Sequence, residues 1–168
     1  MSRQNELFGK KCRDKLTGFE GICFERITWL YGCDKYSLRQ IKEDGQEYKA
    51  IPRTFSPNSL ITLETVIEVD PNRDEQGKQE EFFGKLCRDK VTGFEGICTG
   101  RMTSLFDSDS YCLEPKAKKK SIHRNCEWFD EGRIEIIGYG ISPEEVQSER
   151  PGGMDSYPNH FAEYSVLK

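Results

Sequence analysis

The sequence predicts an all-β fold built from two small antiparallel barrels in tandem, and two observations support this prediction. A fifteen-residue stretch occurs twice, at residues 9–23 and 84–98, with thirteen positions identical at a constant offset of 75. Such self-similarity indicates an internal duplication. Each copy continues into short runs of aromatic and β-branched residues separated by turns rich in glycine and aspartate, which is typical of strands joined by hairpins.

The duplication divides the chain into four segments. A first unit is predicted at residues 7–69, an acidic linker at 70–81, a second unit at 82–138 and a C-terminal tail at 139–168. The linker has no apolar residue except proline and glycine, so we expect it to be solvated. The tail contains several aromatic residues, and we expect part of it to dock.

In the first unit the pattern predicts strands over residues 9–13, 19–31, 36–41, 48–55 and 60–69. The long second strand is expected to bulge near Gly21, because a glycine inside a strand often marks a bulge. The second unit repeats the plan with strands over residues 84–88, 94–106, 111–114 and 133–137. One of its hairpins carries a basic tip, which is either solvated or a contact for a polyanion or an acidic partner: Lys116, Lys118, Lys119 and Lys120.

Composition restricts the function classes. No run of about 20 apolar residues is present, so no membrane span is predicted. The first residues contain no apolar signal segment, and seven cysteines without such a signal are typical of reduced thiols in a cytoplasmic protein. The net charge of −4 argues against binding to duplex nucleic acid, which requires a strongly basic face.

The repeated motif resembles known sequence patterns. Its spacing, Gly-x-x-Cys-x5-Gly-x-x-Gly-x-Cys, is similar to the KOW element of SH3-like and Tudor-like barrels, in which valine usually occupies the cysteine positions. The wider pattern, Arg-Asp-Lys-Val-Thr-Gly-Phe-Glu-Gly-Ile followed by Trp-Phe-Asp-Glu, resembles a family of short, largely uncharacterised phage and prophage proteins that carry one copy. The resemblance covers residues 7–68 and 82–138 and implies two SH3-like barrels in a phage-encoded protein of the bacterial cytoplasm.

The duplicated cysteines allow two interpretations. Four thiolates from Cys12, Cys23, Cys87 and Cys98 would complete a tetrahedral zinc site. However, each pair is ten residues apart without a Cys-x-x-Cys knuckle, and each cysteine falls at an inward position of the predicted barrel. Free cysteine packs as a small hydrophobic residue, so we predict core thiols and no metal site.

Candidate ligand-binding residues occur as duplicated cations and as aromatic residues. A guanidinium group can bind phosphate bidentately and an aromatic ring can stack on a base, whereas the alternatives are surface ion pairs and core packing. We predict that the units form a pseudo-two-fold pair, with Arg26 and Arg101 approaching a shared cleft. The full candidate set is Arg13, Lys15, Phe19, Arg26, Trp29, Arg88, Lys90, Phe94, Arg101 and Trp128.

No nucleophile–base arrangement, metal-binding motif or phosphate loop is recognisable, so the sequence predicts a non-enzymatic protein without a cofactor. By analogy with small phage proteins, the first hypothesis is an anti-defence sponge that sequesters a small, anionic, nucleotide-type immune signal. The alternatives are an interaction module that acts on a host protein and a single-stranded nucleic-acid-binding protein. A homo-oligomer is compatible with each hypothesis.

Overall fold

The computed structural model describes residues 7–40, 51–69, 79–116 and 126–146, and these residues form an antiparallel β structure. Ten strands belong to one continuous sheet. The first five strands are β1 (Lys10–Asp14), β2 (Glu20–Trp29), β3 (Lys35–Arg39), β4 (Arg53–Phe55) and β5 (Leu60–Thr65). The second five are β6 (Lys85–Asp89), β7 (Glu95–Ser104), β8 (Ser110–Glu114), β9 (Glu127–Asp130) and β10 (Ile134–Tyr139). The predicted all-β class is therefore confirmed.

The two units share one strand order. In the first unit the strands pair in the order β5-β1-β2-β3-β4, and in the second they pair in the order β10-β6-β7-β8-β9. A 3₁₀ turn precedes the last strand of each unit, at Pro57–Ser59 and Glu131–Arg133. Within the described ranges the sheet is not closed, because β5 and β10 stand at its two ends.

The bulge in the long strand lies at Phe24, where the register between β2 and β3 shifts between Cys23 and Glu25. The prediction of a bulge near Gly21 was therefore wrong in position. Gly21 has another role, because a Cβ atom there would lie 2.8 Å from the carbonyl oxygen of Arg39. Glycine at this position permits two backbones to approach closely.

Each unit has its own hydrophobic core. The first core contains Cys12, Cys23, Tyr36, Leu38 and Leu60. The second core contains Phe82, Cys87, Cys98, Tyr111, Leu113, Phe129 and Ile134. The four duplicated cysteines are fully buried, as predicted, and burial raises the pKa of Cys87 to about 11. At neutral pH these thiols therefore stay protonated and pack as apolar groups.

Two one-turn helices lie near the predicted segment boundaries. A one-turn helix, α1 (Gln79–Phe82), begins inside the predicted linker, and its Phe82 is buried in the second core. Strand β10 continues through Tyr139, and a second one-turn helix, α2 (Pro143–Val146), lies in the predicted tail. Most of the basic tip and the tail after Val146 lie outside the described residues. No described helix is long and apolar enough to cross a membrane.

Candidate functional site on the sheet shared by the two units

The two units are joined by strand pairing between the C-terminal halves of β2 and β7. Ile27 lies opposite Met102, and these residues occupy equivalent positions of the repeat. Two backbone hydrogen bonds extend the pairing symmetrically: Leu30 N donates to Thr99 O at 2.7 Å, and Leu105 N donates to Phe24 O at 2.9 Å. The contact therefore follows a two-fold relation centred on the Ile27–Met102 pair.

This pairing produces six neighbouring strands in the order β4-β3-β2-β7-β8-β9. Because side chains alternate along a strand, one face of these strands carries the core residues Tyr36 and Tyr111. We name the opposite face the outer face. Its central positions are occupied by Glu25, Ile27, Trp29, Ser37, Gly100, Met102, Ser104, Ser110, Cys112, Trp128 and Asp130.

Arg26 and Arg101 lie on the core side of these strands, opposite Tyr36 and Tyr111. Their side chains are only 3% exposed. Arg26 Nε lies 3.1 Å from a carboxylate oxygen of Asp34, and Arg101 Nε donates to Asp109 at 2.8 Å. Both guanidinium groups therefore have a buried, ion-paired position, and neither lines the ligand cleft that the sequence led us to expect.

The other predicted cations bond within their own units. Arg13 Nε donates to Glu20 at 2.6 Å, and Arg88 Nε donates to Glu95 at 2.9 Å. Lys15 Nζ donates to the carbonyl oxygen of Asn58 at 2.8 Å. The backbone N–H of Lys90 donates to the carbonyl oxygen of Arg133. These contacts tie the turns of each unit together and do not assemble a common cationic site.

The predicted aromatic residues divide into two groups. Phe19 packs against Phe55 and Phe94 packs against Phe129, each at the border of its core. Trp29 and Trp128 come from different units but meet on the outer face, with ring centroids 5.8 Å apart in an edge-to-face arrangement. The structure therefore brings together only this pair of the candidate aromatic residues from different units.

Gly100 makes room for the tryptophan pair. A Cβ atom on Gly100 would lie 2.9 Å from the indole ring of Trp29 and 3.3 Å from Cβ of Cys112. Nearby, the hydroxyl of Tyr31 donates to a carboxylate oxygen of Glu114 at 2.7 Å, which is a further contact between the units. We name this half of the outer face, formed by Trp29, Gly100, Cys112 and Trp128, the aromatic half.

The remainder of the outer face contains a pocket of about 380 Å³. Burial raises the pKa of the Glu25 carboxyl, an effect that a hydrogen bond with Ser37 and the charge of Arg39 partly offset. Phe106, in the adjoining loop, is 60% exposed. We name this site the acidic pocket, and it is lined by Glu25, Met102, Ser104, Asp107, Ser108, Ser110 and Asp130.

The aromatic half and the acidic pocket occupy different halves of a nearly symmetric face. Trp29 corresponds to Ser104 at the offset of 75, and Gly100 corresponds to Glu25. Near the end of the repeat the offset is 74, because Phe129 pairs with Tyr111 as Phe55 pairs with Tyr36. The acidic pocket is specific to one half, because the positions equivalent to Glu25, Asp107 and Asp130 are uncharged: Gly100, Gly32 and Ser56. The repeated fold does not require these carboxylates, since one copy of each position lacks them.

Sequence reasoning missed Glu25, Asp107 and Asp130. A signal was present, because each carboxylate stands where the other copy has glycine or serine. No family model, curated protein or solved structure matches the chain. The candidate site therefore rests on the geometry and charge of the outer face.

Proposed function

We propose that the chain is a non-enzymatic binding protein that docks a basic segment of a partner protein on its outer face. The observation that supports this proposal is the grouping of three carboxylates, Glu25, Asp107 and Asp130, around one pocket of about 380 Å³. A cationic side chain in this pocket would meet complementary charge, which favours both specificity and fast association. The pocket also offers hydroxyl groups and the side chain of Met102 for contact with the aliphatic part of a lysine or arginine.

The aromatic half supports a peptide ligand in particular. Tryptophan, tyrosine and methionine are enriched in protein interfaces, and tryptophan is frequent among the residues that dominate binding energy. Trp29 and Trp128 are half-buried and contact each other. Both lie on the outer face, as the acidic pocket does. A segment that crosses the Ile27–Met102 centre would contact both halves.

Sequestration of a nucleotide-type signal and binding of single-stranded nucleic acid are the competing proposals. Both ligand classes are anionic, and the carboxylates of the acidic pocket would repel them. Arg26 and Arg101, the cations expected to hold phosphate, are buried in ion pairs on the other side of the strands. The carboxylates around the acidic pocket therefore favour a cationic ligand at that site.

We also propose that each unit is an SH3-like barrel of the KOW or Tudor type. The strand order β5-β1-β2-β3-β4, with a 3₁₀ turn before the last strand, supports this assignment. The sequence resemblance to phage and prophage proteins supports a phage-encoded protein in the bacterial cytoplasm. Its partner is then a host protein with an exposed basic segment.

The test is calorimetric titration of the protein with an arginine-rich peptide and with a glutamate-rich peptide of the same length. The basic peptide should bind, and the double substitution Asp107→Asn with Asp130→Asn should weaken binding at least about tenfold, which corresponds to ~1.4 kcal/mol. The affinity should also fall as salt is added, because exposed charges are screened.

The control is Glu64→Gln, compared with each single substitution Asp107→Asn and Asp130→Asn, because each of these variants removes one negative charge; Glu64 lies on the exposed face of β5, away from the acidic pocket. This variant should bind the basic peptide as the wild type does. Equal weakening by Glu64→Gln would mean that only net charge matters and would contradict the proposed site. Tight binding of a nucleotide or of single-stranded DNA, with no binding of the basic peptide, would replace this proposal with a competing one.

A further inference from the structure

The outer face contains two equivalent rows of residues that run across neighbouring strands. In the aromatic half, Trp29 lies opposite Gly100 in the strand register, and Gly100 lies opposite Cys112. Cys112 in turn lies opposite Trp128. This row therefore crosses β2, β7, β8 and β9 with a tryptophan at each end, and we name it the tryptophan row.

The second row occupies the equivalent positions of the repeat and crosses β7, β2, β3 and β4. Ser104 lies opposite Glu25, and Glu25 lies opposite Ser37. Ser37 lies opposite Thr54, with their hydroxyl oxygens 3.3 Å apart at hydrogen-bonding distance. We name this row the glutamate row. Its ends are a serine and a threonine where the tryptophan row has two indole rings.

The two rows differ in what lies above the residue next to their first member. In the tryptophan row, the indole of Trp29 lies so close over Gly100 that an added Cβ atom would be 2.9 Å from the ring. In the glutamate row, Ser104 has the place of Trp29 and is too short to cover Glu25. Glu25 is half-buried and, together with Ser104, lines the acidic pocket. A flat group can therefore lie over Glu25 where the other half already has an indole ring.

We propose that the glutamate row is a subsite for arginine, in which a guanidinium group lies over Glu25 in the place that corresponds to the indole of Trp29. This inference rests on the proposed function, because it specifies which basic side chain the acidic pocket selects. A guanidinium group is planar, as an indole ring is, and it carries five N–H donors in fixed directions. The carboxylate of Glu25 can accept two of these hydrogen bonds in the bidentate arrangement.

Lysine fits this subsite less well than arginine. Its ammonium group is compact and strongly hydrated, so its transfer to a half-buried carboxylate costs more hydration free energy, and it lacks the planar fork of donors. Of the described residues that line the pocket, three are carboxylates and none is a cation. The charge of Arg39 acts on Glu25, but its guanidinium group lies over the ring of Phe24, 4.1 Å from the centroid, and does not line the pocket. The pocket thus attracts both basic side chains, and the glutamate row discriminates between them.

The experiment is calorimetric titration of the full chain with two peptides of equal length and charge, one with arginine and one with lysine at every cationic position. The arginine peptide should bind the wild type at least about tenfold more tightly, because a bidentate hydrogen bond adds to the charge attraction that both peptides share. Equal affinities would overturn the arginine subsite and leave the proposed binding of basic segments intact. If neither peptide binds, the proposed function is wrong and the subsite with it.

Glu25→Gln and Asp130→Asn separate the subsite from the general charge of the pocket. Each substitution removes one negative charge and keeps the shape of the side chain, but Asp130 lies in β9, outside the glutamate row. Glu25→Gln should abolish the preference for arginine, whereas Asp130→Asn should weaken both peptides by a similar factor and so preserve it. Melting curves confirm that each variant is folded, and the comparison of the two peptides on the wild type requires no variant. A preference for arginine that persists in Glu25→Gln, or that disappears only in Asp130→Asn, would contradict the proposal.

Discussion

At the scale of single residues, the contact between Trp29 and Gly100 shows how the two copies of the motif became different. Position 25 in the first unit is a glutamate, while the equivalent position 100 is a glycine. The indole of Trp29 lies over Gly100, where any side chain would meet it at about van der Waals contact or closer. Trp29 and Gly100 are thus complementary, in the manner of a knob and a hole.

Gly100→Ala should therefore destabilise the protein. The new Cβ atom would lie 2.9 Å from ring atoms of Trp29, and Trp128 restricts the movement of that ring. Overpacking of this kind costs about 1–3 kcal/mol. Thermal or urea unfolding measures the effect. Gly132→Ala is the control, because no atom lies within 4 Å of its added Cβ, and it should change stability little. Equal losses in both variants would contradict the packing argument.

The single residues also show what sequence reasoning could reach. Burial of Cys12 and Cys23 was predictable, because apolar residues at these spacings point inward. Arg26 and Trp29 were both assigned to the ligand site, yet they are three residues apart in one strand and point to opposite faces. The carboxylates of the acidic pocket give no local pattern, and only the comparison of the two copies marks them. Glu25 meets Asp107 and Asp130 only through the pairing of β2 with β7, which no local pattern encodes.

At the scale of elements, the turn after the first strand of each unit has the same construction with one difference. Asp14 and Asp89 each accept hydrogen bonds from the backbone and the hydroxyl of a threonine three residues later, at 2.8 and 2.6 Å. Asp89 additionally accepts two hydrogen bonds from Arg133, at 2.9 and 2.7 Å. In the first unit Ser59 takes the place of this arginine.

This difference predicts a pH dependence of stability. The hydrogen bonds from Arg133, followed by those from Thr92, hold the pKa of the Asp89 carboxyl well below its usual range. A carboxylate with a lowered folded-state pKa stabilises the protein fully above its unfolded pKa of about 3.9. That contribution is lost as the pH falls from about 4 toward the folded-state pKa.

Melting temperatures of the wild type and of Asp89→Asn between pH 7 and pH 2 test this expectation. The wild type should be the more stable at pH 7, and the difference should shrink below about pH 4. Asp14→Asn is the matched comparison and should lose less at pH 7, because its carboxylate has Ser59 instead of an arginine. A difference between wild type and Asp89→Asn that stays constant down to pH 2 would show that the carboxylate charge contributes nothing.

At the scale of the whole molecule, the duplication predicted two units, and the pairing of strand β2 with strand β7 determines how these units are joined. The register centred on Ile27 and Met102 has the symmetry expected of an interface between two identical copies. Joining the copies in one chain makes their contact intramolecular. Each copy can then diverge in sequence separately. The two halves of the outer face differ in this way, because one contains the tryptophan pair and the other contains the carboxylates.

The shared strands make a final prediction about cooperativity. Because backbone hydrogen bonds and the Trp29–Trp128 contact join the units, the wild type should unfold in one transition with equal calorimetric and van't Hoff enthalpies. Trp29→Ser introduces the residue found at the equivalent position 104. It should cost about 2–3 kcal/mol, less than the ~3–5 of a fully buried aromatic residue, since Trp29 is half-buried.

The substitution Trp29→Ser should weaken the contact between the units and leave both cores intact, because Trp29 belongs to neither core cluster. Differential scanning calorimetry should then show a van't Hoff enthalpy below the calorimetric enthalpy, or two resolved transitions, as the units begin to unfold separately. Phe19→Leu is the control, since Phe19 packs against the first core and supports only its own unit. It should lower stability while preserving one transition.

If Trp29→Ser also unfolds in one transition with matching enthalpies, the backbone pairing of β2 with β7 alone couples the units.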